Sequence, residues 1–147
     1  MKVKAHCTIS APKAKVFNAF SDLKNLANNV RAIKSIELLT PGDVGIGSKF
    51  KETRIMFGKE SSETMEITQF SFPNYYKEEA QSNGMHYATE WRFVEEGNKT
   101  TVSIDFSGTP TTFSAKLLNV LFLFMVGGMK KAFLADMDDL KKMLEKG

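Results

Sequence analysis

The fold is decided by the final stretch of the chain, residues Thr111 to Lys146, which reads TTFSAKLLNVLFLFMVGGMKKAFLADMDDLKKMLEK. Apolar residues recur here at every third or fourth position, the spacing of one side of a helix. They are Leu118, Phe122, Met125, Met129, Phe133, Met137, Leu140 and Leu144. Most of the charged residues after Lys130 fall on the opposite side, so the second half is amphipathic. The spacing predicts one long helix over 111–146.

The first half of this predicted helix has no polar side. From Leu117 to Val126 every residue except Asn119 is apolar. Such a surface needs a cover, because large exposed apolar patches usually mark interaction sites. Gly127 and Gly128 follow in the middle of the predicted helix, where each costs about 1 kcal/mol relative to alanine. They predict a bend that admits a ligand, or the close approach of a neighbouring element.

The chain before the helix alternates between apolar and polar residues, which is the period of a strand with one buried face. Seven segments fit this pattern: Lys2–Ile9, Ile33–Leu39, Ser48–Phe57, Ser61–Phe72, Tyr75–Gln81, Met85–Glu95 and Thr100–Gly108. The last five are joined by short turns rich in glycine, proline and asparagine, which force an antiparallel arrangement. Between the first two strands, two short helices are predicted, over Pro12–Phe20 and Leu23–Ala27.

Composition narrows the class of protein. The 147 residues are expected to form a single domain over 1–147. The 20 basic and 17 acidic residues are spread along the chain, which argues against nucleic-acid binding. Cys7 is the only cysteine, so no internal disulfide is expected. The start lacks the apolar core of a signal peptide, and the apolar run Val120–Met129 is about half the length that crosses a bilayer. A cytoplasmic protein is therefore expected.

The sequence carries few groups that could perform catalysis. His6 and His86 fall on the polar faces of their strands, and neither has a partner at metal-ligand spacing. No Gly-x-Ser-x-Gly nucleophile motif is present. We therefore predict no catalytic residue, no metal and no cofactor, and the absence of a convincing acid–base pair favours a binding function over an enzyme.

Glu52 and Arg54 are the unusual charged pair, because they share a strand face with Phe50 and Met56. A buried charge without a partner is costly, so the two are expected to pair with each other or with a polar group of a ligand. The alternative is an edge strand whose charged ends reach solvent. If the protein has a ligand cavity, Arg54 is the predicted polar anchor.

The element order and three short motifs resemble the START-like, or helix-grip, superfamily (SRPBCC proteins), which includes polyketide cyclase/dehydratase-like proteins. The motifs are Ile9-x-Ala11-Pro12-x-x-x-Val16-Phe17, Val44-Gly45-x-Gly47-Ser48-x-Phe50, and Glu90-Trp91-Arg92-Phe93 followed by Gly97-x-x-Thr100-x-Val102. The resemblance covers essentially the whole chain. It implies an α+β fold, with a seven-stranded antiparallel sheet curled around a long C-terminal helix and a cavity between them. Small bacterial members often carry an aromatic residue where this chain has Asn28-Asn29-Val30.

Such a cavity would be lined by the inner faces of the strands and by the apolar side of the helix. The predicted ligand-binding residues are Phe50, Arg54, Met56, Met65, Ile67, Tyr87, Thr89, Trp91, Ile104 and Phe106 from the sheet, with Phe122, Met125, Met129 and Phe133 from the helix. The alternative is that these side chains simply pack together as a solid core.

Three functions remain open on the sequence. The first is the binding, sequestration or transport of a small hydrophobic ligand, such as a lipid, an isoprenoid or a polyketide-like molecule. The second is a polyketide cyclase/dehydratase-like enzyme, in which Arg54 or Tyr87 polarises a carbonyl group. The third is an interaction module in which Val120–Phe124 forms a homodimer or a transient membrane contact.

Overall fold

The computed structural model describes residues 1–146, and for Leu118, Leu121 and Phe122 it describes the backbone alone. The elements are β1 (Lys2–Ile9), α1 (Lys13–Ser21), α2 (Leu26–Asn29), β2 (Ile33–Leu38), β3 (Lys49–Met56), β4 (Lys59–Ser71), β5 (Tyr75–Ser82), β6 (Met85–Glu96), β7 (Lys99–Pro110), α3 (Phe113–Phe122) and α4 (Val126–Glu145). A 3-10 turn, Leu123–Met125, joins α3 to α4. This order confirms the predicted α+β fold, including the two short helices after β1.

The seven strands form one curled antiparallel sheet in the order β1-β7-β6-β5-β4-β3-β2. Consecutive strands from β2 to β7 are hairpin neighbours, as the short turns predicted. Asn83-Gly84 and Phe57-Gly58 turn two of the hairpins with positive φ at both residues, the geometry that two-residue hairpin turns require. Strand β1 returns to pair with β7, so β1 and β2 are the two edges.

The long C-terminal helix is present as α4, but the prediction of one uninterrupted helix over 111–146 is wrong. Helix α3 begins after Thr112, whose Oγ1 accepts a hydrogen bond from the Ala115 backbone N–H at 3.2 Å, and the helical path breaks at Leu123–Met125. Gly127 and Gly128 consequently lie in the first turn of α4 rather than in mid-helix. Their low helix propensity explains why the path is interrupted beside them.

One of these glycines also permits a close approach. A Cβ atom on Gly128 would lie 2.6 Å from Cε1 of Phe57, whereas one on Gly127 would meet nothing within 4 Å. The tip of the β3–β4 hairpin can therefore rest on α4 only because position 128 has no side chain.

The core lies between the concave face of the sheet and the helices. Helix α1 contributes Val16, Phe17 and Phe20, all essentially inaccessible to solvent. The C-terminal half of α4 contributes Met137, Leu140 and Leu144 to the same hydrophobic cluster. These residues close one end of the space between sheet and helix.

Candidate functional site

A cavity of about 460 Å³ lies between the sheet and α4, within the range of small-molecule sites. Its wall comes mainly from β3, β4, β5 and β6, with Phe106 of β7 and one side of α4. Most of the lining side chains are aliphatic, aromatic or thioether groups. Phe57, which lines the cavity, is also 51% exposed to solvent. The cavity therefore reaches the surface beside the tip of the β3–β4 hairpin.

Most of the residues singled out on the sequence line this cavity. They are Arg54, Met56, Met65, Tyr87, Thr89, Trp91, Phe106, Met125, Met129 and Phe133. The side chain of Phe122 lies outside the described part of the structure. Ligand contact by these residues stays a prediction.

Phe50, Ile67 and Ile104 have a different position. They are on the same inner face of the sheet, but each is fully buried in the hydrophobic cluster and none lines the cavity. Strand alternation identifies the face that a side chain occupies. It contains no information on whether that part of the face is covered by protein or by open space, so these three could not be separated from the others.

A charged cluster is built into the otherwise apolar wall. The Nη2 atom of Arg54 lies 2.5 Å from Oδ2 of Asp136 on α4, and its Nε lies 3.4 Å from Oε2 of Glu52. The three side chains are only 11–17% exposed. The pairing of Arg54 with Glu52 agrees with the sequence expectation, whereas the partner from α4 was not foreseen.

Glu78 on β5 adds a third carboxyl group to this cluster. Burial, together with the nearby Glu52 carboxylate, raises the pKa of Glu78 to about 8, although the Arg54 guanidinium acts in the opposite direction. Burial likewise raises the pKa values of Glu52 and Asp136, and Arg54 partly offsets that effect. Glu78 is therefore mostly protonated at neutral pH.

Several buried polar atoms at this cluster have no hydrogen-bond partner among the described residues. They are Nε of Arg54, Oδ1 of Asp136 and the indole Nε1 of Trp91. Unpaired buried polar atoms are rare in folded proteins and call for a specific explanation. All three belong to residues that line the cavity, so a polar group of a ligand is well placed to satisfy them.

Two of the charged residues were missed on the sequence, although each left a signal. Glu78 alternates with Tyr76 and Ala80, both buried, and so shares their inward face. Asp136 follows Phe133 by three residues and precedes Leu140 by four, so it interrupts the apolar side of α4. An acidic residue inside an apolar pattern is the signal to look for.

The remaining candidates lie away from the cavity. His6 is exposed, and Nε2 of His86 lies 3.0 Å from Oε1 of Glu79. Cys7 is partly buried, which raises its pKa. Within residues 1–146, no group of three or more His, Cys, Asp or Glu side chains is arranged to hold a metal ion.

An exposed apolar surface lies on α3 and the 3-10 turn that follows it. Val120 and Leu123 are more than half exposed, and Phe124 is 85% exposed. Phe113 and Leu117 extend the same surface along α3. We refer to these five residues as the α3 surface. Of the described helices, none combines the length and apolar character that a bilayer span needs.

Solved structures with the same architecture are numerous. A START superfamily protein from Mycobacterium smegmatis superposes with a TM-score of 0.81 at 12% identity, covering 99% of this chain and 97% of that one. The major latex-like protein 151 from Panax ginseng gives 0.80 at 11% identity, with 98% and 97% covered. The di-domain ARO/CYC protein BexL from the BE-7585A biosynthetic pathway gives 0.78 at 15% identity, covering 99% of this chain and 50% of that chain. At these identities the similarities show the shared fold.

The sequence itself identifies the family. No curated protein matches the chain significantly. The family model described as polyketide cyclase/dehydrase and lipid transport matches residues 1–145. That match includes every strand, α4 and the whole cavity wall. The chain therefore belongs to the polyketide cyclase/dehydrase and lipid transport family.

Proposed function

We propose that the protein binds a small hydrophobic molecule in the cavity, and that it sequesters or transports this molecule. The observation that carries the proposal is the cavity of about 460 Å³ with a largely apolar wall and one charged cluster. Methionines from two sides, Met56 and Met65 of the sheet and Met125 and Met129 of the helix, line it. Flexible thioethers adapt to ligands of different shape.

Transfer of the ligand from water supplies the driving force. Burial of roughly 300 Å² of apolar ligand surface yields about 7 kcal/mol at ~25 cal/mol per Å². Loss of ligand motion offsets part of this, so a dissociation constant of roughly 10 μM to 1 mM is the expected scale. No chemical step is required for the function.

Native mass spectrometry of gently purified protein tests this proposal. We expect a mass above that of the polypeptide, which disappears after extraction with organic solvent and returns when an apolar ligand is added. The matched control is Ala80→Phe, which places a ring in the cavity from a position on its wall. Protein that takes up no apolar ligand, or an Ala80→Phe variant that takes up as much as wild type, would contradict the proposal.

We further propose that the α3 surface contacts an anionic lipid membrane, from which the ligand is taken up. Lys116, Lys130 and Lys131 flank its apolar residues, and no acidic residue occurs between Asp105 and Asp136. Apolar side chains next to lysines suit the boundary of an anionic bilayer. Met125 follows this surface directly in the chain and lines the cavity, which connects contact with ligand entry.

Liposome flotation tests the membrane contact. Wild-type protein is expected to float with vesicles that contain phosphatidylserine, and the Leu123→Ser/Phe124→Ser variant is expected to stay behind. Val94→Ser, which changes an exposed apolar residue on β6, is the control and should float like wild type. A concentration-dependent homodimer in size-exclusion chromatography that is lost in the double variant, without any flotation, would show that the α3 surface serves self-association instead.

The second candidate function is a cyclase/dehydratase-like reaction, which the position of Glu78 favours. A protonated carboxyl group with a pKa of about 8 beside the Arg54 guanidinium can donate a proton to a ligand carbonyl. Incubation with poly-β-keto thioesters tests this candidate. Product formation by wild type that is abolished in Glu78→Gln, with ligand binding retained, would favour the enzyme, whereas the absence of turnover favours the carrier.

A further inference from the structure

We propose that the cavity selects an apolar molecule whose polar end carries a protonated amine, held among Glu52, Glu78 and Asp136. The proposal rests on the proposed binding function and specifies its ligand class. The sequence suggested Arg54 as the polar anchor, and an arginine anchor would favour a ligand with a carboxylate. The proposal instead assigns the anchor to the three carboxyl groups.

The side chains that line the cavity include more carboxyl groups than cationic groups. Among the described side chains that line it, Arg54 is the only lysine or arginine. Five lining side chains carry carboxyl groups, namely Glu52, Glu63, Glu78, Glu79 and Asp136. Glu79 has partners that do not line the cavity, because His86 and Lys77 lie 3.0 and 4.0 Å from its carboxylate. The remaining carboxyl groups outnumber the one guanidinium, so a further cation improves the balance and a further anion worsens it.

Arg54 is already committed to partners within the protein. Its Nη2 lies 2.5 Å from Asp136 and its Nε lies 3.4 Å from Glu52, so two carboxylates already neutralise its charge. A ligand carboxylate beside Arg54 would also lie close to these two groups. Like charges at such distances repel strongly in a site with little water. Arg54 therefore neutralises the cluster and positions Asp136, and it is a poor anchor for an anionic ligand.

Of the three unpaired atoms, Oδ1 of Asp136 is the one acceptor, and it favours a hydrogen-bond donor on the ligand. The N–H groups of Arg54 and Trp91 are donors that already face the carboxyl groups of Glu52 and Glu78. Oδ1 of Asp136 is buried and accepts no hydrogen bond from the described residues, although its other oxygen is paired with Arg54. An ammonium group carries three donors and no acceptor, so it can satisfy this oxygen and neighbouring carboxyl oxygens together. The rings of Tyr76 and Trp91 line the same cavity. Aromatic rings attract cations, which adds to the preference for an amine.

Three ligands with the same chain and different polar ends test the proposal. Dodecylamine, dodecanol and dodecanoate are titrated into the protein at pH 7, below their aggregation concentrations, with isothermal calorimetry as the readout. We expect dodecylamine to bind at least ten-fold more tightly than dodecanol, and dodecanoate to bind most weakly. Dodecanoate binding as tightly as dodecylamine, or all three binding equally, would overturn the selectivity and leave the hydrophobic-ligand function standing. Binding of none would overturn both.

Two variants locate the preference within the cluster. A bound ammonium favours the ionised form of Glu78, so Glu78→Gln removes a negative charge from the complex, as Asp136→Asn does. Each variant is expected to weaken dodecylamine binding at least five-fold while dodecanol binding stays unchanged, which also shows that the variant is folded. Asp136→Asn should in addition strengthen dodecanoate binding, because Arg54 then loses its closest partner. Glu66→Gln, on β4 and paired with Lys49, is the control, because Glu66 does not line the cavity, and it should leave all three affinities as in wild type. A preference for the amine that survives in both cluster variants would overturn the assignment.

Discussion

The two halves of α4 lie against the same sheet but have different surroundings. Around the C-terminal half, Met137, Leu140 and Leu144 are buried in one cluster with Phe17, whose ring lies 5.1–5.5 Å from four other aromatic rings. We call this the packed end. Around the N-terminal half, Met125, Met129 and Phe133 are only partly buried and line the cavity. We call this the cavity end.

The difference shows that α1 fills the space between the sheet and α4 at one end only. Helix α1 is nine residues long and brings Val16, Phe17 and Phe20 beneath α4 at the packed end. Space remains beyond the reach of this helix. Phe20 and Trp91 mark the boundary, because their rings meet edge to face and both also line the cavity. Binding and stability therefore belong to different parts of one hydrophobic interior.

Truncation at the two ends should have very different costs. Phe17→Ala removes the ring at the centre of the packed end, so we expect the free energy of unfolding to fall by about 3–5 kcal/mol. Met129→Ala enlarges a space that is already open, so its cost should stay below about 1 kcal/mol. Urea unfolding followed by circular dichroism measures both. Equal losses at the two positions would show that the cavity end is as solid as the packed end.

Removing the cation from the buried charged cluster at the cavity end should also lower the free energy of unfolding. Arg54→Met leaves Asp136 and Glu52 without their cation, and we expect a loss of about 3 kcal/mol at pH 8. Lys142→Met is the matched control, because Lys142 pairs with Asp138 on the same helix and the two side chains are 70% and 49% exposed. It should change stability little, since exposed pairs contribute little. The Arg54 deficit should shrink at pH 5, because the unpaired carboxyl groups can take up protons there. Equal effects of the two substitutions would contradict the buried cluster.

Stability should depend on pH through Glu78. Its pKa rises from an ordinary 4.5 in the unfolded chain to about 8 in the fold, so the folded state holds its proton more tightly. The contribution of this group to stability is therefore full below pH 4.5 and is lost as the pH rises towards 8. Glu78→Gln removes this dependence, so the stability of the variant relative to wild type should rise by on the order of 4 kcal/mol between pH 5 and pH 9. A stability difference that stays constant with pH would contradict a buried, protonated Glu78.

The smallest effect concerns the start of α4 at the cavity end. Gly127→Ala meets no neighbour and should stabilise the helix by about 0.5 kcal/mol. Gly128→Ala should lose that gain, because its Cβ would displace the ring of Phe57. Thermal unfolding compares the two. If the glycines also allow a helix movement that admits ligand, the double alanine variant should take up ligand more slowly, and unchanged uptake would argue against a hinge.

Much of the fold was readable from the sequence, because its signals are local. Alternation located all seven strands, and turn residues such as Asn83-Gly84 located the hairpins. The interruption of the last helix was readable only as a possible bend at Gly127-Gly128. Its position at Leu123–Met125 was not, since the apolar run there contains no proline or charge. For the cavity wall, the sequence predicted which side chains lie on the inner face of the sheet but not which of them border the cavity. Phe50 packs in the core, whereas Met65, its cross-strand neighbour, lines the cavity. This difference depends on where α1 ends in three dimensions.

The charged cluster, too, could be predicted only in part from the sequence. Glu52 and Arg54 are two residues apart on one strand, so their pairing followed from alternation. Asp136 lies 82 residues from Arg54, and Glu78 reaches the cluster through the neighbouring strands. Periodicity places each of them on an inward face but does not bring them together. Only the curl of the sheet around α4 does so.

The central claim is that the cavity end is open to an apolar ligand, and Trp91 offers a direct measurement. It is the only tryptophan in the chain and lines the cavity. Titration with dodecanol, a ligand without charge, should change its fluorescence along a saturable curve with one site per chain, and the change should vanish in Ala80→Phe. Fluorescence that does not respond, or that responds equally in the filled variant, would contradict the account.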